Sequence, residues 1–174
     1  KARKLVPLVL LAILAILAGT AIMAYTQYIK RARASEAMNV LADVRLKQEA
    51  YRATFHVYAF HNIAGVWFPD NNPRDVKRPW AGNAADLANW NQLGIRPDGN
   101  VWYSYYCVAG PPGNTDNLGQ MANTTNLSSI ATGDFWFAAR AVEDFDNDGS
   151  CSGFEVYPGR QTLAKFDEGP WCPQ

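Results

Sequence analysis

The feature that most constrains this chain is an uncharged, apolar run near its N-terminus, LVPLVLLAILAILAGTAIMAYTQYI, at residues 5–29. As an α-helix these 25 residues would extend about 37 Å, which is longer than the ~30 Å hydrocarbon core of a bilayer. We therefore predict a transmembrane segment at residues 5–29, with membrane lipid as its immediate partner. The alternative is a cleaved secretory signal, because the run has a basic start and small residues at 18–21 that suit a cut site.

The charges of the chain are distributed unevenly, although they sum to zero. Residues 1–33 hold six basic residues and no acidic one, whereas the remaining 141 residues carry 10 basic and 16 acidic residues, a net charge of −6. An overall charge of zero argues against a protein that coats nucleic acid, so we expect no nucleic-acid partner. The basic residues flank both ends of the apolar run: Lys1, Arg3, Lys4, Lys30, Arg31 and Arg33.

The positive-inside rule does not decide the orientation of the segment, because both of its ends are basic. A short N-terminal tail is easily retained in the cytoplasm, and cysteines suit an exported compartment. We therefore expect a single-pass protein with a cytoplasmic N-terminus and an exported C-terminal part.

The predicted helix continues beyond the apolar run. Neither glycine nor proline occurs between residues 30 and 55, a stretch rich in strong helix formers. Apolar residues recur there at three- and four-residue spacing, with Gln48 as a break in the pattern. We predict one N-terminal helix over residues 1–55 whose second half is amphipathic through Met38, Leu41, Val44, Tyr51 and Phe55.

Residues 56–174 are the predicted head domain, and its first part, 56–100, is a linker with one short helix. Gly, Pro, Asn and Asp mix as in a loop before this helix. The helix fits residues 84–92, with Asn83 as its N-cap and Gly94 beyond its end.

The second part of the head domain, 101–174, has the aromatic and β-branched composition of a sheet. A long loop rich in Gly, Pro, Asn and Thr at 110–133 separates the first two strands. One long helix packed on a small antiparallel sheet is an α+β fold. The predicted strands lie at 101–109, 134–143, 154–157 and 162–166.

The helix resembles that of a known family. Residues 22–37 read IMAYTQYIKRARASEA, which is similar to the central stretch of the long N-terminal helix of bacterial type IV pilins, roughly Ile-Pro-x-Tyr-x-x-Tyr-x-x-Arg-x-x-x-Ser-Glu-Ala. In the head domain, LGIRPDG at 93–99 and DFDNDG at 144–149, ahead of Phe154, resemble pilin-like proteins of that family. The N-terminus departs from the pattern: residues 1–6, KARKLV, contain neither the phenylalanine nor the assembly glutamate of the family, and its mid-helix proline is Met23 here.

The resemblance implies a structural subunit of a type IV pilus or pseudopilus-like filament, assembled through the apolar N-terminal helix. Its partners would be copies of itself or other pilin-like subunits. The protein would lie in the bacterial inner membrane and, once assembled, in a cell-surface filament. The alternative is a single-span accessory subunit of a larger membrane complex that does not polymerise.

A calcium-binding pattern lies near the C-terminus. Residues 144–155, DFDNDGSCSGFE, match D-x-[DN]-x-[DN]-G-x5-E at every specified position. Alternate carboxylates can converge on one Ca²⁺ ion, and Gly149 permits the sharp turn. The flanking residues look like strands, and an ion-free Asp/Asn/Gly turn is the alternative. The predicted ligands are Asp144, Asp146, Asp148, Ser150, Ser152 and Glu155.

The cysteines and histidines indicate structure rather than catalysis. Cys107, Cys151 and Cys172 permit one disulfide and a free thiol, an intersubunit bond, or three reduced thiols. The resemblance implies a bond that ties down the C-terminal segment, which favours Cys151–Cys172. His56 and His61 lack an obvious set of partners, and no nucleophile-elbow, P-loop, zinc-protease or dinucleotide motif occurs. We predict that the protein is not an enzyme and has no small-molecule substrate.

Overall fold

Six elements make up the fold in the computed structural model, which describes residues 2–59, 66–82, 84–114, 133–159, 164–169 and 172–173. The strands follow one another in the sheet in chain order, each antiparallel to the next. One long N-terminal helix and a small antiparallel sheet confirm the predicted α+β fold. The elements are α1 (Ala2–Phe55), α2 (Ala84–Leu93), β1 (Ser104–Gly110), β2 (Trp136–Glu143), β3 (Cys151–Val156) and β4 (Ala164–Gly169).

The chain forms two compact units, Lys1–Ala34 and Ser35–Gln174. The first unit, called the stem below, is the apolar part of α1 with its basic ends. The division falls at Ala34/Ser35 rather than after residue 55, because the second half of α1 packs on the sheet. The segment Ser35-Glu36-Ala37 opens the second unit. Within it, Glu36 accepts a hydrogen bond from the backbone N–H of Trp102 at 2.8 Å.

The second half of α1 buries one side of the helix. Its fully buried residues follow one another at spacings of four, three and four: Ala37, Leu41, Val44 and Gln48. These spacings place them on a single helix face. The apolar face predicted from the sequence differs from this buried face, because it included Met38 and Phe55, which are 38% and 58% exposed.

Gln48, the break in the predicted pattern, lies at the centre of the buried face. Its Nε2 donates to the carbonyl of Ala59 at 2.9 Å, and its Oε1 accepts from the backbone N–H of Ala59 at 2.9 Å. The side-chain amide therefore satisfies both backbone groups of a buried residue that follows the helix. A polar residue occupies the core because unpaired buried backbone groups are costly.

The sheet is buried on both faces, and every residue of β2 is buried. On one face Cys107 contacts Gln48 of α1, and Phe137 contacts Tyr58 with ring centroids 4.9 Å apart. Side chains alternate along a strand, so their neighbours point to the other face. That second face forms a core cluster of Trp67, Tyr106, Val108, Trp136, Ala138, Val142, Cys151 and Tyr157.

Both helices end through left-handed backbone conformations. His56 has φ = 61°, and its N–H bonds the carbonyl of Arg52 at 2.8 Å, which ends α1. After α2, Gly94 has φ = 74° and donates to Asn91, while Ile95 donates to Trp90, as in a Schellman motif. The predicted stop at Gly94 is thus confirmed. Asn83, His61 and most of the loop at 110–133 lie outside the described residues.

Candidate functional sites: the stem and the acidic loop

The stem is an apolar helix whose side chains are exposed at nearly every position from Val9 to Tyr28, whereas Arg33 near its end is buried. Leu11, Ile16 and Ile22 are 69%, 67% and 68% exposed, and none of the most apolar 18-residue window is buried. By length and composition this helix could cross a membrane, criteria that a signal sequence near the N-terminus also meets.

The two threonine hydroxyls of the stem are satisfied within the helix itself. Thr20 donates to the carbonyl of Leu17 at 3.0 Å, and Thr26 donates to the carbonyl of Ile22 at 2.9 Å. A hydroxyl bonded to its own helix can enter an apolar environment without leaving an unsatisfied donor. The described stem is therefore chemically suited to lipid or to other helices.

The acidic loop, residues 144–150, connects β2 to β3 and brings three predicted calcium ligands together. One carboxylate oxygen from each of Asp144, Asp146 and Asp148 lies within 4.8 Å of the other two. Asp144 is buried directly after β2, whereas the other two are exposed. No further group of three or more such ligands occurs among the residues that the structure describes.

Backbone N–H groups hold two of the three carboxylates of the acidic loop, those of Asp144 and Asp148, in place. Asp144 accepts from Asp148 N at 3.2 Å and from Gly149 N at 2.9 Å, and Asp148 accepts from Ser150 N at 2.7 Å. Asn147 and Gly149 have φ values of 58° and 85°, in the left-handed region where Asn and Gly are tolerated. The loop thus turns sharply enough to gather the carboxylates of alternate residues.

Of the predicted carboxylate ligands, Glu155 is not part of this group. Ser150 follows the three aspartates, while Ser152 and Glu155 belong to β3, where they pair in register with Glu143 and Arg140 of β2. Because β3 already begins at Cys151, the sheet register places Glu155 away from the aspartate group.

Glu155 instead faces a buried arginine. Arg140 and Glu155 are 3% and 1% exposed, and Arg140 Nε lies 3.7 Å from Glu155 Oε1. The guanidinium of Arg140 also lies 4.3 Å from the ring centroid of Phe166 and 5.6 Å from that of Trp67. Burial lowers the pKa of Arg140 to about 10, and the nearby Glu155 carboxylate opposes this shift. Sequence reasoning missed this pair, although an arginine inside an apolar strand was a signal for it.

A cavity of about 340 Å³ lies beside the acidic loop. Its wall includes Cys172, which forms a disulfide with Cys151, and this confirms the favoured pairing. Cys107 is a buried free thiol; burial raises its pKa to about 12, while a hydrogen bond from Gln48 opposes the shift. The cavity is lined by Asn71, Asn72, Pro73, Asp144, Gly149, Cys172 and Pro173.

Comparison with protein-family models, with curated proteins and with solved structures gives no match for this chain.

Proposed function

We propose that this protein is a structural subunit of a type IV pilus or pseudopilus-like filament, assembled through its apolar N-terminal helix. The observation that carries the proposal is the exposure of the stem. Large apolar side chains, among them Leu11, Ile16 and Ile22, are more than half exposed along it. Covering such a side chain is worth about 1.5–3 kcal/mol, so the stem requires apolar surroundings.

Two environments meet this requirement, and a filament subunit uses both in turn. Before assembly, lipid of the bacterial inner membrane covers the stem, with the N-terminus in the cytoplasm and the head domain exported. In the filament, the stems of neighbouring copies or of other pilin-like subunits cover it. Since lipid and neighbouring helices are similarly apolar, close packing between helices drives this transfer. The protein acts by assembly, without a catalytic step.

Cysteine crosslinking in native membranes tests this assembly. Ile16→Cys places a thiol on an exposed position of the stem, and Val76→Cys places one on an exposed position of the head domain. The unmodified chain is the background control, because its free Cys107 is buried. We expect an apolar oxidant to link the Ile16→Cys variant into dimers, and electron microscopy of sheared material to show filaments with bundled stems. Monomers alone, with no filaments, would refute the proposal.

A single-span accessory subunit of a larger membrane complex is the second candidate. The observation that favours it is the absence of any acidic residue among residues 1–35, which includes the position of the glutamate through which pilins are thought to contact their neighbours. In this case the Ile16→Cys variant would crosslink to different chains. Microscopy would then show one copy in a lipid belt beside other proteins.

We also propose that the acidic loop binds Ca²⁺ through Asp144, Asp146 and Asp148. The separation of their ligand atoms, 4.8 Å or less, and the hard oxygen donors support a calcium ion. Three carboxylates leave coordination positions that water from the adjacent cavity fills. The ion would then stabilise the connection between β2 and β3 by relieving repulsion among the three charges.

A further inference from the structure

The C-terminal end of the apolar run combines two kinds of side chain within two helical turns. Tyr25 and Tyr28 are 66% and 70% exposed, and the basic residues Lys30 and Arg31, also exposed, follow directly. Residues three apart are neighbours on a helix surface, so Tyr28 lies between Tyr25 and Arg31. Aromatic rings with a polar tip, followed by cations, are the side chains favoured where a helix leaves the hydrocarbon of a bilayer.

The length of the stem places the membrane boundary at the same residues. The whole uncharged run extends about 37 Å and exceeds a hydrocarbon core of ~30 Å. The part of α1 between Lys4 and Tyr25, residues 5–24, extends about 30 Å and matches that core. Tyr25 is thus the first residue beyond the hydrocarbon, and the positive charges lie at the level of the lipid phosphates.

We propose that Tyr25, Tyr28, Lys30 and Arg31 form a headgroup collar, a site that binds anionic phospholipid headgroups and fixes the depth of the stem in the membrane. The guanidinium of Arg31 can donate two parallel hydrogen bonds to a phosphate, and the ammonium of Lys30 adds a point charge. The proposal rests on the membrane insertion of the stem proposed above.

Local lipid quenching of a single fluorophore tests both depth and headgroup preference. The full chain carries bimane on Ile16→Cys or, separately, on Gln27→Cys, since Ile16 and Gln27 are exposed and Cys107 is buried. Each labelled protein is reconstituted into phosphatidylcholine/phosphatidylglycerol vesicles in which one lipid at a time carries bromine in the middle of its acyl chains. We expect strong quenching at position 16 and weak quenching at position 27. At position 27, brominated phosphatidylglycerol should quench about twofold more than brominated phosphatidylcholine at equal mole fraction.

Charge removal identifies the residues responsible. Lys30→Gln with Arg31→Gln should abolish the preference for phosphatidylglycerol at position 27. The matched control, Arg74→Gln with Lys77→Gln, removes two exposed charges of the head domain and should leave the preference unchanged.

The outcomes separate this proposal from the proposed function. Equal quenching at positions 16 and 27 would place the boundary elsewhere and overturn the collar, while leaving membrane insertion intact. Equal quenching by both lipids at position 27 would overturn headgroup binding. The absence of quenching at position 16 would refute membrane insertion and the collar together.

Discussion

Replacing Glu155 by Gln distinguishes a partner of Arg140 from a calcium ligand. The two side chains are 1% and 3% exposed, with Glu155 Oε1 3.7 Å from Arg140 Nε. Gln preserves the size of the side chain but removes its charge, so the buried guanidinium loses the counter-charge of Glu155. Breaking one side of a buried ion pair costs about 3–5 kcal/mol. For a folded unit of this size, that is a fall in Tm on the order of 10 °C.

The assay is thermal unfolding of the full chain in detergent micelles with the disulfide intact, followed by circular dichroism with EDTA and then with Ca²⁺. We expect Glu155→Gln to lower Tm in EDTA and to keep the same rise in Tm on calcium addition. Arg140→Met combined with Glu155→Leu is the matched control. Because it removes both charges and preserves apolar volume, it should recover most of the lost stability. An unchanged Tm in EDTA, together with loss of the calcium-dependent rise, would refute the reasoning and make Glu155 a calcium ligand.

Three further predictions concern the acidic loop and the core. Asp146→Asn should leave Tm in EDTA nearly unchanged and reduce the stabilisation by calcium. For the unmodified chain that stabilisation is about 2.7 kcal/mol at a calcium concentration 100 times Kd. Thermal unfolding during titration with calcium and chelator checks this, and the absence of a calcium response in both proteins would contradict the site. Gln48→Leu should lower the free energy of unfolding by about 1–3 kcal/mol for each backbone group left unpaired at Ala59. Urea denaturation measures this, with Leu46→Gln as the surface control. Equal stability of the two variants would contradict the role of the Gln48 amide. Burial raises the pKa of Cys107 to about 12, so on raising the pH the thiol ionises in the unfolded chain before it ionises in the folded protein. Its contribution to stability is therefore present below the ordinary thiol pKa and is lost as pH rises towards 12. Cys107→Ala should reduce this loss of stability at alkaline pH, and the same pH dependence of stability in both proteins would contradict the prediction.

The architecture followed from local sequence patterns. The absence of glycine and proline after the apolar run predicted one continuous helix, and α1 extends over 54 residues. Gly94 ended α2 as expected, because its left-handed conformation needs only local backbone chemistry. Aromatic and β-branched stretches likewise predicted four strands, although β3 begins at Cys151 rather than at residue 154.

The features that were missed depend on contacts between residues distant in the chain. In the sequence, Gln48 interrupts the apolar pattern of an amphipathic helix. Its role becomes clear only in the fold, where the chain places the backbone N–H and carbonyl of Ala59 beside it. The pattern ending at Glu155 specifies spacing along a calcium loop, but the register between β2 and β3 decides where that side chain lies. Neither the return of the chain nor the sheet register is visible in a short motif.

The positions of the three cysteines also bear on oxidative folding. Three thiols allow three single-disulfide pairings, and thiolate attack can interchange them while the chain remains open. In the folded protein Cys107 faces Gln48 of α1, whereas Cys151 belongs to the cluster on the opposite face of the sheet. Docking of α1 on the sheet therefore withdraws the Cys107 thiol from exchange and leaves Cys151–Cys172 as the only accessible pairing. The helix thus selects the native disulfide.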